Sequence, residues 1–448
     1  MIDRATLMAW DRDHVWHPFT QAQTAPDPIP LVRAEGAWLT DIDGKQYLDL
    51  ISSWWVTLHG HGQPEVADAI AEQARTMDHV MFAGHTHQPA AELSRRLADV
   101  LPDGLNRVFF SDDGSTAVEV ALKAALQFQR NVGARQRSRF LAFDGGYHGD
   151  TVGSMSVGAS SSFFDAFTDM MFPVDVLPVA AHWQGAEDIE AREAEALDQL
   201  DRHLAAHGAD TCAAIIEPLL QGAGGMRMHR AEFLAAVVER LRAHDILVIF
   251  DEVATGFGRT GGLFACETSG VAPDLICLSK GLTAGFLPMA VTVVHDRIFD
   301  AFLGDSVDQA FLHGHSFTAN PLGCAAALAS LKLLVAEQGV KQRRRIAEQH
   351  AAGLARLAES PLVSRVRQVG TVAAFDVDTG EAGGYRAAVG PWLKTRFMAR
   401  GLIIRPLGNV VYLMPPLCTT AAELTDAYEA IGAVLAELAA SPAEASRG

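Results

Sequence analysis

The 448-residue sequence is poor in cysteine, in lysine and in positive charge. Its five cysteines (Cys212, Cys266, Cys277, Cys324 and Cys418) are odd in number, and no two stand at C-x-x-C spacing. That pattern argues against a secreted disulfide framework and against a structural zinc site. Thirty-six Lys plus Arg face 54 Asp plus Glu, a net charge of −18. A chain of that balance neutralises few phosphates, so neither nucleic acid nor an anionic membrane surface is expected as a partner. No run approaches the roughly 18 consecutive apolar residues of a spanning helix. The N-terminal MIDRATLMAWDRDHVWHPFTQ lacks the apolar stretch of a signal peptide. The default expectation is a cytoplasmic protein. Lysine is the scarcest charged residue: only Lys45, Lys123, Lys280, Lys332, Lys341 and Lys394 occur, leaving 30 of the 36 basic residues as Arg. Any lysine chemistry therefore has few candidates.

What is present is an ordinary globular composition, 49% hydrophobic and 20% charged, long enough for about two or three domains. Between about 105 and 295, short apolar runs alternate with helical patterns. RVFFSDD (107–113), RFLAFDGGY (139–147), TCAAIIEPLL (211–220), DILVIFDE (245–252), PDLICLSKG (273–281) and PMAVTVV (288–294) read as strands. They are nearly continuous apolar runs, the mark of strands buried on both faces, which predicts a mostly parallel central sheet covered by helices. Residues 114–130 read as a helix, as do 321–337, 342–357, 386–400 and a last one opening on the Thr420–Glu423 capping box and running to about 440. Residues 1–60 look irregular apart from a hairpin around Asp43-Gly44 (36–50). Segments 363–377 and 402–416 read as antiparallel strand pairs, and the tail SPAEASRG is expected to fray. The layout predicted is an α/β chain: a large domain over 61–325, and a smaller α+β domain built from both termini, 1–60 and 326–448.

Ligands of such sheets gather at the carboxyl ends of the strands, and the polar residues there form a constellation. Lys280 directly follows an apolar strand. Burial there lowers a lysine pKa, which suits a Schiff-base nucleophile, though an ion pair or a snorkelling side chain fits the position equally. Asp251 ends another buried strand and needs a partner, either an ordinary cap or ion pair or, beside a lysine Schiff base, a pyridinium nitrogen. Gly114-Ser115 opens a helix whose free N–H groups suit a phosphate, and Ser115 is also a good N-cap. Tyr147 could stack on a flat ring or fill the core. Amine, carboxylate, anion site and aromatic face together match pyridoxal 5′-phosphate far better than any one of them does.

At this point the sequence resembles the class III, or omega-type, aminotransferases of PLP fold-type I over nearly its whole length. The resemblance is carried by ILVIFDEVATGFGRTGGLFACETSGVAPDLICLSKGLTAG (246–285). Within that family the blocks HVWHPFTQ (14–21), SSWWVTLHGHGQP (52–64), HVMFAGHTHQPA (79–90), GYHGDTVGSMSV (146–157), IIEPLLQGAGGMRMH (215–229) and RPLGNVVYLMPP (405–416) are similar to the biotin-pathway subgroup. The resemblance implies amino transfer, from S-adenosylmethionine or, as in some relatives, lysine, to 8-amino-7-oxononanoate. An omega-amino acid or diamine transaminase using pyruvate is the alternative. It implies Lys280 as the residue that carries the cofactor and moves the proton, Asp251 on the ring nitrogen, Tyr147 on the ring, and Gly114 and Ser115 on the phosphate. It further implies Ser316 on the phosphate of the other subunit of a homodimer, and Trp54, Asp150, Arg259, Arg405, Gly314 and Phe19 at the substrate site. Arg405 is the natural carboxylate clamp, a guanidinium being able to grip both oxygens. Two departures stand out. Phe19 replaces the tyrosine frequent in the HPYT motif, which leaves donor choice open, and Gly314-His315-Ser316-Phe317 replaces G-P-T-F, with serine supplying the hydroxyl.

Other motifs carry less. GFGRTG (256–261) satisfies G-x-G-x-x-G, but DEVAT separates it from the strand and no helix is expected after it, so it is read as a chance match. The pairs His59/His61, His85/His87 and His313/His315 open a metal-hydrolase reading, yet they lie in Gly/Thr-rich turns without a carboxylate at matching spacing, and no metal is expected.

Overall fold

The apolar runs fold into a seven-stranded sheet in the computed structural model, which describes residues 2–158, 162–380 and 383–441. From one edge the order is Leu105–Ser111, Ala290–His295, Leu275–Leu278, Leu247–Asp251, Thr211–Ile216, Arg139–Phe143, Asp175–Leu177. The last five pair in parallel, and Ala290–His295 runs antiparallel to both of its neighbours. The middle strands are buried at every position, because successive residues serve opposite faces. Val248, Phe250, Ile276 and Leu278 enter one hydrophobic cluster, while Leu247, Ile249, Leu275 and Cys277 enter the other beneath helix Gly114–Asn131. Continuous apolarity in the sequence is thus period-two packing into two cores.

Several strands stop short of their apolar runs. Arg139–Phe143 ends four residues before Tyr147, and Thr211–Ile216 stops just before Glu217, four residues short of Leu220. Residues 402–416 are not a strand pair. Leu402–Ile403 lies parallel to Gln46–Asp49, and Val410–Leu413 pairs antiparallel with Val372–Val377. The turn between them passes so close to Gly384 that a Cβ on Gly408 (φ +64°) would stand 1.8 Å from its carbonyl oxygen, and the two strands diverge into different sheets. Val363–Val369 and Val372–Val377 do form an antiparallel hairpin. Leu31–Glu35, Trp38–Asp41, Gln46–Asp49 and Leu402–Ile403 make a four-stranded sheet drawn from both ends of the chain. The N-terminal stretch holds a helix where irregular chain was expected: Arg4–His14, capped by Asp3, whose carboxylate accepts from the Thr6 amide. It buries no residue, so no apolar stripe marked it.

Helix Pro321–Val335 packs on Pro64–Thr76 and Gln88–Val100, and Glu337–Leu357 starts five residues before the expected 342. The last helix, Ala421–Ala440, has the Thr420–Glu423 capping box, and Val389–Ala399 lies within the expected 386–400. The tail beyond Ser441 lies outside the described residues. Among those described, no single helix is long and apolar enough to cross a membrane.

Candidate active site

The strand ends converge on one cleft of about 630 Å³. Leu105–Ser111 leads to Gly114 and Ser115, the turn after Arg139–Phe143 to Tyr147 through Asp150, Thr211–Ile216 to Glu217, Leu247–Asp251 to Asp251, and Leu275–Leu278 to Lys280. Trp54 and Trp55 close the cleft from the N-terminal part of the chain.

Lys280 opens a 3₁₀ turn with φ 42°, and its Nζ lies 4.6 Å from the centre of the Trp55 ring. Burial lowers its pKa, and the charges of Asp251 and Glu217 only partly offset that. Asp251 is 3% exposed; its Oδ2 lies 2.7 Å from His148 Nδ1, and its Oδ1 accepts from the Val253 amide. Burial opposes a charge on His148, but the Asp251 hydrogen bond and carboxylate outweigh it and raise the imidazole pKa. The pair joins a buried acid to an imidazole through a 2.7 Å contact, an arrangement able to hold a protonated ring nitrogen in the cleft.

The helix start is shaped for an anion. Asp113, not Ser115, is the N-cap, accepting from the Thr116 amide, while the Thr116 hydroxyl closes a capping box. This places Gly114 and Ser115 in the first turn, whose amides have no intrahelical acceptor. The Ser115 hydroxyl is shared with Thr151 at 2.8 Å. A Cβ on Gly114 would stand 2.7 Å from Val253 Cγ1, so only glycine leaves this approach open. Tyr147 hydrogen-bonds Asp150 through its hydroxyl, stacks at 17° on Phe164 and has its pKa raised, first by burial and then by Asp150.

Phe19, Arg259, Arg405, Gly314 and Ser316 are not part of the cleft lining. Arg405 is half-buried at its mouth, its guanidinium 4.5 Å from the Trp54 ring centre and 5.8 Å from that of Phe19. Phe19 is 50% exposed and packs on Trp54 and Phe163. Arg259 is 2% exposed and donates to the Pro415 carbonyl and the Ser52 hydroxyl, behind the cleft. Burial lowers its pKa to about 10. Gly314 and Ser316 sit on an exposed loop, where the Ser316 carbonyl meets His79 Nε2. Glu217 is the residue that strand reading missed. It is buried, its carboxylate accepts from the Tyr147 and Gly222 amides, and burial pushes it up to about 7. The signal was there: an acid interrupting the apolar run just before Pro218. No cluster of three or more metal-ligating side chains occurs among the described residues.

A family model described as aminotransferase class-III matches residues 20–435. An adenosylmethionine-8-amino-7-oxononanoate aminotransferase from Synechococcus elongatus is 52% identical over 425 residues, 95% of this chain and 99% of that one. The crystal structure of the aminotransferase of the same name from Methanocaldococcus jannaschii has a TM-score of 0.90 at 33% identity, covering 97% of this chain and 99% of that one. An amine transaminase from an uncultivated Pseudomonas species, in a PLP-bound form, has a TM-score of 0.87 at 33% identity and covers 95% of this chain and 98% of that one.

Proposed function

Because the chain belongs to the class-III aminotransferases, we propose that it moves an amino group from S-adenosylmethionine to 8-amino-7-oxononanoate, giving 7,8-diaminononanoate for biotin synthesis. The enzyme is PLP-dependent, and the cleft suits that cofactor by its chemistry: the Lys280 amine, the buried carboxyl groups of Asp251 and Glu217, helix-start amides without an intrahelical acceptor and an aromatic ring line the same space. Bound there, pyridoxal phosphate supplies an electron sink for the pair left behind when a proton leaves the amine-bearing carbon.

The chain's own residues do the rest. Lys280 would hold the cofactor through its Nζ, and the same Nζ, when free, would serve as the base that moves a proton; burial lowers its pKa and so favours the neutral amine that this work needs. Asp251, backed by His148, holds the ring nitrogen protonated. Gly114 and Ser115 bind the phosphate. Trp54 walls the substrate channel, Tyr147 lies against the face of the cofactor ring, and Asp150 beside the substrate orients the tyrosine hydroxyl. Arg405 grips the keto substrate's carboxylate. Arg259 supports the wall from behind. Ser316 and Gly314, exposed on one chain and outside its own cleft, serve the phosphate and substrate of a second copy, so the working form is a homodimer.

The observation that carries the substrate reading is Arg405, a cation at the cleft mouth that stacks on two aromatic rings and pairs with no acid among the described residues. It suits an acceptor with a terminal carboxylate. The test is the visible spectrum of the purified protein with S-adenosylmethionine and no acceptor, followed by 8-amino-7-oxononanoate. Bleaching by the donor and recovery with the acceptor is expected. A band indifferent to S-adenosylmethionine but bleached by lysine, or by alanine with recovery on pyruvate, would replace this reading with a lysine donor or with the omega-transaminase alternative.

A further inference from the structure

The turn that delivers the two tryptophans is strained. Ser52, Ser53 and Trp55 have φ of 50°, 60° and 66°, a region L-residues with side chains avoid. Glycine would adopt such a turn freely, yet the sequence there is Ser-Ser-Trp-Trp. Strain of this kind persists only when its surroundings over-determine it.

Here the surroundings are one carboxylate and its neighbours. Asp49 is 0% exposed and ends the strand before the turn. Its Oδ1 accepts from the Ile51 amide at 3.1 Å, and its Oδ2 accepts from the Ser53 amide at 2.7 Å and the Ser53 hydroxyl at 3.3 Å. His61 Nε2 lies 2.9 Å from the same oxygen. The Ser52 hydroxyl donates to the Met414 carbonyl and accepts from Arg259. At the far end the Trp55 indole N–H donates to the hydroxyl of Tyr412, itself 1% exposed. A Cβ on Gly222 would press within 3.1 Å of the indole. What this scaffold presents is the indole face beneath the Lys280 ammonium, at 4.6 Å.

We propose that Asp49 is a positioning residue for Lys280: by clamping the Ile51–Trp55 turn it fixes the Trp55 ring under the lysine amine and sets the direction from which that amine meets the cofactor. An aromatic face orients an ammonium without the directional grip of an oxygen acceptor, so the amine is aligned yet free to leave. The other charged groups facing Lys280, Asp251 and Glu217, lie on the sheet side of the cleft.

The inference rests on Lys280 being the cofactor-bearing residue, and a Lys280→Ala control tests that separately. The experiment mixes cofactor-stripped protein with pyridoxal phosphate and follows the rate at which the visible band appears, alongside kcat and KM. Loss of the band in Lys280→Ala supports the assignment beneath the inference, and a parent-like band in that variant sinks it. With the assignment standing, Asp49→Asn and Tyr412→Phe are expected to slow band formation by up to about 30-fold, the scale of a desolvated cation–aromatic contact, and to lower kcat with little change in KM. Trp55→Phe, which keeps a ring face, should fall less than Trp55→Leu. Parent-like rates in Asp49→Asn and Tyr412→Phe, or equal rates in the two Trp55 variants, overturn the proposal. If Asp49→Asn does not fold, Tyr412→Phe decides alone, since it deletes one oxygen from a packed ring.

Discussion

Replacing Arg405 with methionine keeps most of the side chain's length and its apolar contact with Trp54 while removing the charge. The guanidinium makes no ion pair among the described residues that would be left broken, so no buried carboxylate is orphaned and stability should change by less than about 0.5 kcal/mol. What is lost is the grip on a carboxylate. Hydrogen bonds to charged groups are worth about 1.5–3 kcal/mol, which converts to roughly 10- to 150-fold in kcat/KM. The loss should fall on the half-reaction with 8-amino-7-oxononanoate, because that acceptor places its only carboxylate at the end remote from its ketone. Arg405→Lys should land between the two, keeping the charge but not the planar fork. The assay is stopped-flow measurement of each half-reaction, donor bleaching and acceptor recovery. Equal losses in both half-reactions refute the clamp, and so would an Arg405→Lys variant as poor as Arg405→Met.

Three further outcomes are expected. Lys280→Ala should abolish turnover and the visible band while circular dichroism and Tm stay near those of the parent, because the side chain makes no hydrogen bond that the fold depends on; retained turnover contradicts this. Gly114→Ala drives a Cβ to 2.7 Å from Val253 Cγ1, which should cost about 1–3 kcal/mol of stability and weaken cofactor affinity, and Val253→Ala in the same chain should restore most of both; no rescue would locate the damage elsewhere. Burial pushes the Glu252 carboxyl up to about 7, against the Ala265 and Cys266 amides it accepts from. An unfolded glutamate releases its proton near about pH 4.3, so the folded chain binds the extra proton between there and about 7, and that stability is complete below the window and lost as pH rises through it. Glu252→Gln should therefore flatten the decline of Tm between pH 5 and 8, and a slope equal to the parent's contradicts the argument.

The sheet and the residues that line the cleft were legible because both follow from short-range rules. Strands buried on two faces carry unbroken apolar runs, and whatever polar residue ends such a run stands at the ligand edge of the sheet; Lys280 and Asp251 need no further information. The same rule overran by as many as four residues where the apolar run outlasts the strand. Treating 211–220 as one strand hid Glu217, whose buried carboxyl is held by amides from two different loops, and Ser115 looked like the cap because Asp113 sits before an unremarkable glycine. Arg259 is a different case: its chemistry suits a substrate anion, but its partners, Ser52 and Pro415, are 207 and 156 residues away in sequence, and only the fold shows that its guanidinium donates to them outside the cleft lining. The Asp49 clamp belongs to the same class. A serine pair before two tryptophans carries no local signal for left-handed backbone, and local propensity points away from it. The turn exists because a buried carboxylate, a histidine twelve residues on and a carbonyl 362 residues on from Ser52 agree on one geometry. Local pattern therefore located the polar groups that meet in the cleft, whereas the contacts that hold the surrounding turns join distant segments and become visible only when those segments are brought together.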